Sequence, residues 1–388
     1  MIFLGLLFPR WEEKSIREKS KKRIVQNQVN TYQWNCIDGI YENLQKGVRI
    51  INALPVGTFP CQYKDIILNS KEWIYKEEKH YQVGSINLPL LKQYFRYKKI
   101  KKLLQKSQDK EICIYSMYLP FLKAVQKLDK SYHVKLIVPD LPEYYDYSGK
   151  EKGFKKYLRR RNNKAVYKCL ERVDSFVLLT EQMKEPLKVG NKPYVIVEGI
   201  SNYSIKEIKT KERKEKILLY TGSLNQKFGI DVLLQAFMQT TNKDYRLWIC
   251  GSGDYEQQIK HFASKDDRIK FFGYVSKIEA ERKQQEALVL INPRQNNGDY
   301  TKYSFPSKTI ECLASGKPFI AYKLDGIPEE YDKYINYVEE NSIQAMQEKI
   351  TQVFENLVDY KTKAQKAVEF IQTKTAKEQA KKIINLGK

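Results

Sequence analysis

The chain is poor in the residues that build metal and redox centres. It carries 3 His and 6 Cys in 388 residues. Cys36, Cys61, Cys113, Cys169, Cys250 and Cys312 are scattered, with no Cys-x-x-Cys and no Cys/His cluster. That spacing argues against a zinc site and for reduced, buried thiols in a cytoplasmic protein. His80, His133 and His261 lie in no motif and read as packing or surface residues. Long apolar runs are missing too. The opening MIFLGLLFPR is brief, has no basic residue before it and no small-residue cleavage site after it. It therefore reads as neither a signal peptide nor a membrane span, and the expectation is a soluble or peripheral protein. No Gly-x-x-x-x-Gly-Lys-Ser/Thr and no Gly-x-Ser-x-Gly occur, which argues against P-loop phosphoryl transfer and the usual hydrolase elbow. No Asp-x-Asp occurs either, so no metal is expected.

Acidic residues are outnumbered. Against 69 Lys and Arg stand 46 Asp and Glu, a net charge of +23, which implies an anionic partner: nucleic acid, an anionic membrane surface or a phosphorylated substrate. With 28 Tyr, 16 Phe and 42% hydrophobic residues, a chain of this length can bury two cores, so two domains are expected.

Apolar runs of strand length alternate with helical patterns. In the first half, strands are expected at 2–8, 48–53, 81–86, 112–116, 133–138, 176–180 and 194–198. Helices are expected at 26–44, 90–105, 120–128 and 154–173, with 10–23 a charged loop. Ser201–Glu215 is polar and Lys-rich and reads as a linker. The pattern then restarts, with strands at 217–220, 246–250, 269–272, 288–292, 319–322 and 334–338. Helices are expected at 229–239, 255–263, 342–357 and 360–386. This alternation predicts an α/β protein with two doubly wound parallel-sheet (Rossmann-like) domains facing one another across an interdomain cleft, where ligands belong. The domains are set at 1–200, for the acceptor, and 216–372, for a nucleotide-sugar donor. The segment 373–388 is expected to cross back to the first.

The stretch YTKYSFPSKTIECLASGKP, Tyr300–Pro318, follows an apolar strand and leads through a polar loop into a helix. Pro306 suits a first helical turn, and Tyr303 or Ser304 is the expected cap region. The free N–H groups at Ser307 and Lys308 would face a phosphate, and Glu311, about one turn on, could accept from hydroxyls. An ordinary capped helix with Ile310, Leu313 and Ala314 facing the core explains the same residues. Gly222, Gly251 and Gly253 read as turn glycines equally well, and GSGDYE is too short to signal a nicotinamide site.

Five segments together carry a resemblance: YTGSLNQKFGIDVLLQAF, ICGSGDYEQQI, FFGYV, LINPR and KYSFPSKTIECLASGKPFIAYKLDGIPEEY. In order and spacing they resemble family 4 (group 1) glycosyltransferases of the GT-B fold, of the bacterial exopolysaccharide and capsule type. NTYQWNCIDGIYENL, the PVGTFP loop and VPDLPEYY are similar more weakly. The resemblance implies a retaining hexosyltransferase that takes a UDP-, GDP- or dTDP-sugar, with no metal cofactor. It assigns Lys227 to the diphosphate. Ser223 stands where the family usually has an arginine, and Arg294 is expected to supply that charge. Of the family's two glutamates seven residues apart, Glu311 matches the second, which accepts from the ribose, while the first falls on Tyr303. The resemblance adds Asp140, in VPDLPEYY, to the catalytic set with Lys227 and Arg294. The nucleotide-sugar contacts it implies are Gly222, Ser223, Gly251, Tyr303, Ser304, Phe305, Pro306, Ser307, Lys308 and Glu311.

LLKQYFRYKKIKKLLQ and FKKYLRRRNNKAVYKCL mix Lys and Arg with Tyr, Phe and Leu, as helices on an anionic bilayer do. The expected setting is the inner face of the cell membrane, with a lipid-linked saccharide as acceptor and no nucleic acid. Solvated basic helices explain the same composition. Two rival readings stay open: a sugar-nucleotide epimerase on the same fold, and a non-enzymatic protein that grips nucleic-acid phosphates.

Overall fold

The computed structural model describes residues 1–21, 27–44, 47–144, 153–201 and 215–387, and the chain divides into two compact units. Residues 202–214 of the predicted linker and the stretch 145–152 lie outside the described residues. The first unit comprises Met1–Ile200 with Thr375–Lys388, the second Ser201–Lys374.

The first unit runs β1 (Ile2–Gly5), α1 (Glu13–Lys19), α2 (Asn27–Asn43), β2 (Arg49–Asn52), β3 (Ile67–Leu68), β4 (Lys71–Tyr75), β5 (Glu78–Gln82), β6 (Ser85–Ile86), α3 (Leu91–Gln105), β7 (Glu111–Tyr115), α4 (Leu119–Val125), β8 (His133–Val138), α5 (Phe154–Cys169), β9 (Ser175–Leu178) and β10 (Tyr194–Ile196). Its sheet has the order β10-β9-β8-β7-β1-β2-β5-β4, parallel except for the β4–β5 hairpin. β3 and β6 form a separate antiparallel pair. The strands are continuous apolar runs because helices cover both faces of a parallel sheet. Ile2, Phe3 and Leu4 are all fully buried.

The second unit runs β11 (Lys216–Ser223), α6 (Ile230–Met238), β12 (Tyr245–Ser252), α7 (Glu256–Lys265), β13 (Ile269–Gly273), α8 (Lys277–Glu286), β14 (Val289–Asn292), α9 (Lys308–Ala314), β15 (Phe319–Tyr322), β16 (Asn336–Val338), α10 (Ile343–Glu355) and α11 (Leu357–Gln372). Its six parallel strands lie in the order β13-β12-β11-β14-β15-β16. Leu218, Leu247 and Ile320 face one core beneath α6 and α10, while Leu219, Trp248 and Phe319 face the other, with α9 and α11. In both sheets the strand order reverses beside the first strand, between β1 and β7 and between β11 and β14. Ligands bind outside the carboxyl ends of strands at such a reversal.

Several local expectations give way. Residues 10–23, read as a loop, contain α1, whose one buried apolar residue is Ile16. β3, β4 and α8 were not expected. The closing helix is broken at Thr373–Thr375, where the Thr375 hydroxyl accepts from the Glu378 amide and starts α12 (Ala376–Asn385), which packs on α2 in the first unit. The stripe of α3 that faces inward is Lys92, Arg96, Ile100 and Leu104, so two of its expected surface cations are buried.

Candidate functional site

At the carboxyl end of β11 the backbones come close. A Cβ at Gly251 would collide with the Gly222 carbonyl oxygen, and one at Gly229, held at φ +77°, with the Pro293 carbonyl oxygen. Only glycine permits these approaches, which join the ends of β11, β12 and β14 at the reversal of strand order. The glycines are therefore packing residues first. The Ser223 Oγ accepts from Asn225 Nδ2 at 2.7 Å, and the Ser223 carbonyl accepts from the Tyr220 hydroxyl at 2.8 Å.

Two of the expected cations meet on one ring. Lys227 Nζ lies 5.1 Å and Arg294 Cζ 5.6 Å from the centroid of Phe228. Arg294 also sits 5.0 Å from the Tyr300 ring and donates from Nη2 to the Ser304 hydroxyl at 3.1 Å. Its Nε is buried without a hydrogen-bond partner. Aromatic faces hold a cation without neutralising it. The arrangement thus brings two cations together just past the carboxyl ends of β11 and β14.

The Tyr303–Glu311 segment differs in detail from its sequence reading. α9 begins at Lys308 with Ser307 as its N-cap, which makes no side-chain cap bond, so Tyr303 and Ser304 lie in the preceding turn and Pro306 outside the helix. The Phe305 side chain is core: it is buried, 5.3 Å from the Tyr331 ring. Pro306 is buried as well, and both can offer a ligand only backbone atoms. Lys308 forms an ion pair with Glu311, so these two candidates hold one another. Burial acts to lower the Lys308 ammonium, but the Glu311 charge and hydrogen bond outweigh it and leave it raised. Ser307 is exposed at the start of α9.

Asp140 belongs to the first unit, just past the carboxyl end of β8. Burial pushes its carboxyl up to about 6, so it exchanges its proton near neutral pH. Sequence reasoning missed the residues that shape the first unit's edge. Asn52 exchanges two hydrogen bonds with Leu7, both 2.9 Å, and Gln33 two with Leu6, both 2.7 Å. The one available signal was a polar residue inside an apolar strand or helix stripe. Among the described residues no group of three or more His, Cys, Asp and Glu could hold a metal ion, and no helix is long and apolar enough to cross a membrane.

Residues 202–374 match the family model described as glycosyl transferases group 1. The matched residues coincide with the second unit, which therefore carries the likeness to group 1 glycosyltransferases. Solved structures resemble the chain over nearly its whole length. Sucrose-phosphate synthase from Thermosynechococcus elongatus is 14% identical with a TM-score of 0.68, covering 98% of this chain and 96% of that one. The lipopolysaccharide outer core galactosyltransferase WaaB, in its apo form, is 14% identical with a TM-score of 0.64, covering 99% and 98%. Anabaena HepE, in complex with UDP, is 12% identical with a TM-score of 0.63, covering 99% and 98%. No curated protein matches the chain in sequence. At these identities the likeness establishes the fold, and the fold is GT-B. The matched residues include Lys227, Arg294, Lys308 and Glu311. Asp140 lies outside the matched residues.

Proposed function

We propose that the protein is a retaining hexosyltransferase of family 4 that moves a sugar from a UDP-, GDP- or dTDP-sugar to a lipid-linked saccharide in exopolysaccharide or capsule biosynthesis. The observation that carries the reading is the pair of cations, Lys227 and Arg294, on the Phe228 ring at the strand-order reversal of the second unit. Arg294 fills the role of the arginine that Ser223 replaces. As the sugar leaves, negative charge grows on the nucleoside diphosphate, and fixed cations aimed at it lower the barrier without a metal. Lys308 joins them when the ribose hydroxyls draw Glu311 away from it. Asp140 accepts a hydrogen bond from the acceptor hydroxyl, whose proton passes to the leaving phosphate oxygen. A solved relative in the fold, HepE, holds UDP.

The experiment is a thermal-shift panel of UDP, GDP, dTDP and their sugars. A ligand at a hundred times its dissociation constant stabilises by about 2.7 kcal/mol. A nucleoside diphosphate that stabilises wild type but not Lys227→Ala or Arg294→Ala supports the reading, and a panel with no stabiliser overturns it. Release of free UDP from a UDP-sugar without any acceptor would favour the epimerase.

The setting is the inner face of the cell membrane, reached through the outward side of α3. That side presents Leu91, Tyr94, Lys98, Lys99 and Lys102, with Leu90 73% exposed just before it. Apolar side chains among lysines suit an anionic lipid surface. Anionic vesicles should bind the protein, neutral ones should not, and Lys98, Lys99, Lys101 and Lys102 changed together to Gln should abolish binding. Binding indifferent to lipid charge would return α3 to solvent.

A further inference from the structure

Two positive charges lie inside the first unit with no negative charge against them. Lys92 is 8% exposed and Arg96 2% exposed, both on the inward stripe of α3. Lys92 Nζ donates to the carbonyl oxygens of Val56, at 2.5 Å, and Gly57, at 3.5 Å. Arg96 Nη2 donates to the Leu54 carbonyl at 2.7 Å, and Nη1 to the Tyr118 hydroxyl at 3.0 Å. Among the described residues neither cation forms an ion pair; their partners are neutral oxygens. Arg96 Nε is buried and unpartnered, as is Asn87 Oδ1, whose amide nitrogen donates to the same Gly57 carbonyl at 3.0 Å.

The position is as telling as the imbalance. Leu54–Gly57 follows β2 and Tyr118 follows β7, the strands on either side of β1, so Arg96 spans the reversal of strand order in this sheet. Burying ions without counter-charge is unfavourable unless something else repays it. Burial, with Arg96 adding to it, brings Lys92 down to about 7, which shows how little its surroundings favour the charge. Surface helices seldom turn cations inward while leaving lysines outside, and α3 does so at the edge where this fold takes its ligands.

Tyr118 connects the buried charge to the outside. Its ring is partly exposed and is braced by Phe121, with centroids 5.1 Å apart. Since its oxygen accepts from Arg96, its own proton is left to donate, and a donor backed by a guanidinium is the stronger for it. Gly57, whose carbonyl accepts from Lys92, is partly exposed too.

We infer that the carboxyl edge of the first sheet is a site for a phosphate or diphosphate group, bound by the Tyr118 hydroxyl with Arg96 and Lys92 supplying the attraction from beneath. That the group belongs to the saccharide acceptor rests on the glycosyltransferase reading above; the anion site itself does not. Transfer to a diphosphate-linked sugar would then use this site to hold the non-reacting end of the acceptor, while Lys227 and Arg294 hold the diphosphate of the donor.

The probe is inorganic pyrophosphate, titrated calorimetrically into the full chain with UDP held saturating and ionic strength fixed. Wild type should bind it beside UDP. Tyr118→Phe, which removes one hydroxyl from a partly exposed ring, and Lys92→Met should each weaken it at least ten-fold, while Lys227→Ala weakens UDP and leaves pyrophosphate unchanged. Geranyl diphosphate that binds more tightly than pyrophosphate, with the same dependence on Tyr118, identifies an ester acceptor as the source. Equal affinities identify free phosphate. Pyrophosphate that UDP displaces, or whose affinity survives Tyr118→Phe, overturns the site. Should Lys92→Met fail to fold, Tyr118→Phe decides alone. Loss of UDP binding with Tyr118-dependent pyrophosphate binding would sink the transferase reading and leave the anion site standing.

Discussion

At the carboxyl end of β11, backbone meets backbone: Gly251 lies against the Gly222 carbonyl and Gly229 against the Pro293 carbonyl, where no side chain fits. At the carboxyl end of β1 the same task falls to side chains. Gln33 and Asn52 pair with both the N–H and the C=O of Leu6 and Leu7, and Asn30 and Trp34 bond the N–H and C=O of Phe8. The amide clamp satisfies backbone groups that have left the sheet, whereas Gly222 and Gly251 still pair within it. The two edges also differ in how they treat charge. The second unit sets Lys227 and Arg294 against aromatic faces and pairs Lys308 with Glu311, whereas the first sinks Lys92 and Arg96 among neutral oxygens. One topology thus yields an edge with charge at hand and an edge with charge held behind a hydroxyl.

The sharpest way to break the comparison is steric. Gly251→Ala should cost about 3 kcal/mol of stability, because a carbonyl blocks the added carbon and φ is +149°. Denaturant unfolding that shows less than about 1 kcal/mol would mean the glycine edge relaxes freely. Next comes Asp140→Asn, expected to lower turnover about 100-fold, because a neutral amide replaces the charged oxygen that accepts from the acceptor hydroxyl. Because burial raises this carboxyl to about 6, wild-type activity should climb as pH rises through that value and the variant's should not. A shared pH profile would remove Asp140 from the chemistry. For the amide-built edge, Asn52→Ala leaves the Leu7 N–H and C=O without partners, at about 2 kcal/mol of stability by urea titration. A neutral result would show that water replaces the amide. Glu311→Gln should weaken nucleotide binding by about 1 kcal/mol in calorimetry. The effect is modest because the same change frees Lys308 for the phosphates, and tighter binding would mean that the freed lysine dominates. The smallest effect expected is none: EDTA should leave activity intact, and loss restored by Mg²⁺ or Mn²⁺ would replace the cation mechanism with a metal one.

How legible each edge was follows from what builds it. The strands before YTGS and ICGSG were read but ended too early, at Tyr220 and Cys250, because β11 and β12 run on through Gly222 and Gly251 to Ser223 and Ser252. β8 and β15 were read at their observed limits because a buried strand is an uninterrupted apolar run with polar ends. The amide clamp could not be read, since Gln33, Asn30 and Asn52 are ordinary polar residues until the fold brings Leu6 and Leu7 to them. α3 misled for a related reason: inward cations at Lys92 and Arg96 remove the apolar stripe by which a helix face is recognised. α8 has the same fault, with Lys283 and Gln284 buried, although its start was written as Ser276-x-x-Glu279, where the Ser276 hydroxyl accepts from the Glu279 amide at 3.2 Å. α1 and β4 offered too few apolar positions for a period, and β4 lies at the edge of its sheet. In the candidate site, the ion pair that couples Lys308 to Glu311 could be anticipated from their i, i+3 spacing. The meeting of Lys227 and Arg294 on Phe228 could not, because it joins segments far apart in the chain.

The last helix carries a consequence for the order in which the protein can be made. α12 lies against α2, close enough that a side-chain carbon at Gly39 would strike the Ala376 carbonyl, and the buried Lys135 ammonium donates to the carbonyls of Ile383, at 3.2 Å, and Ile384, at 2.8 Å. The unit translated first is therefore the one completed last. While residues 201–374 emerge from the ribosome, the surface that receives α12 stays uncovered, whereas the second unit has all its own elements as soon as α11 is out.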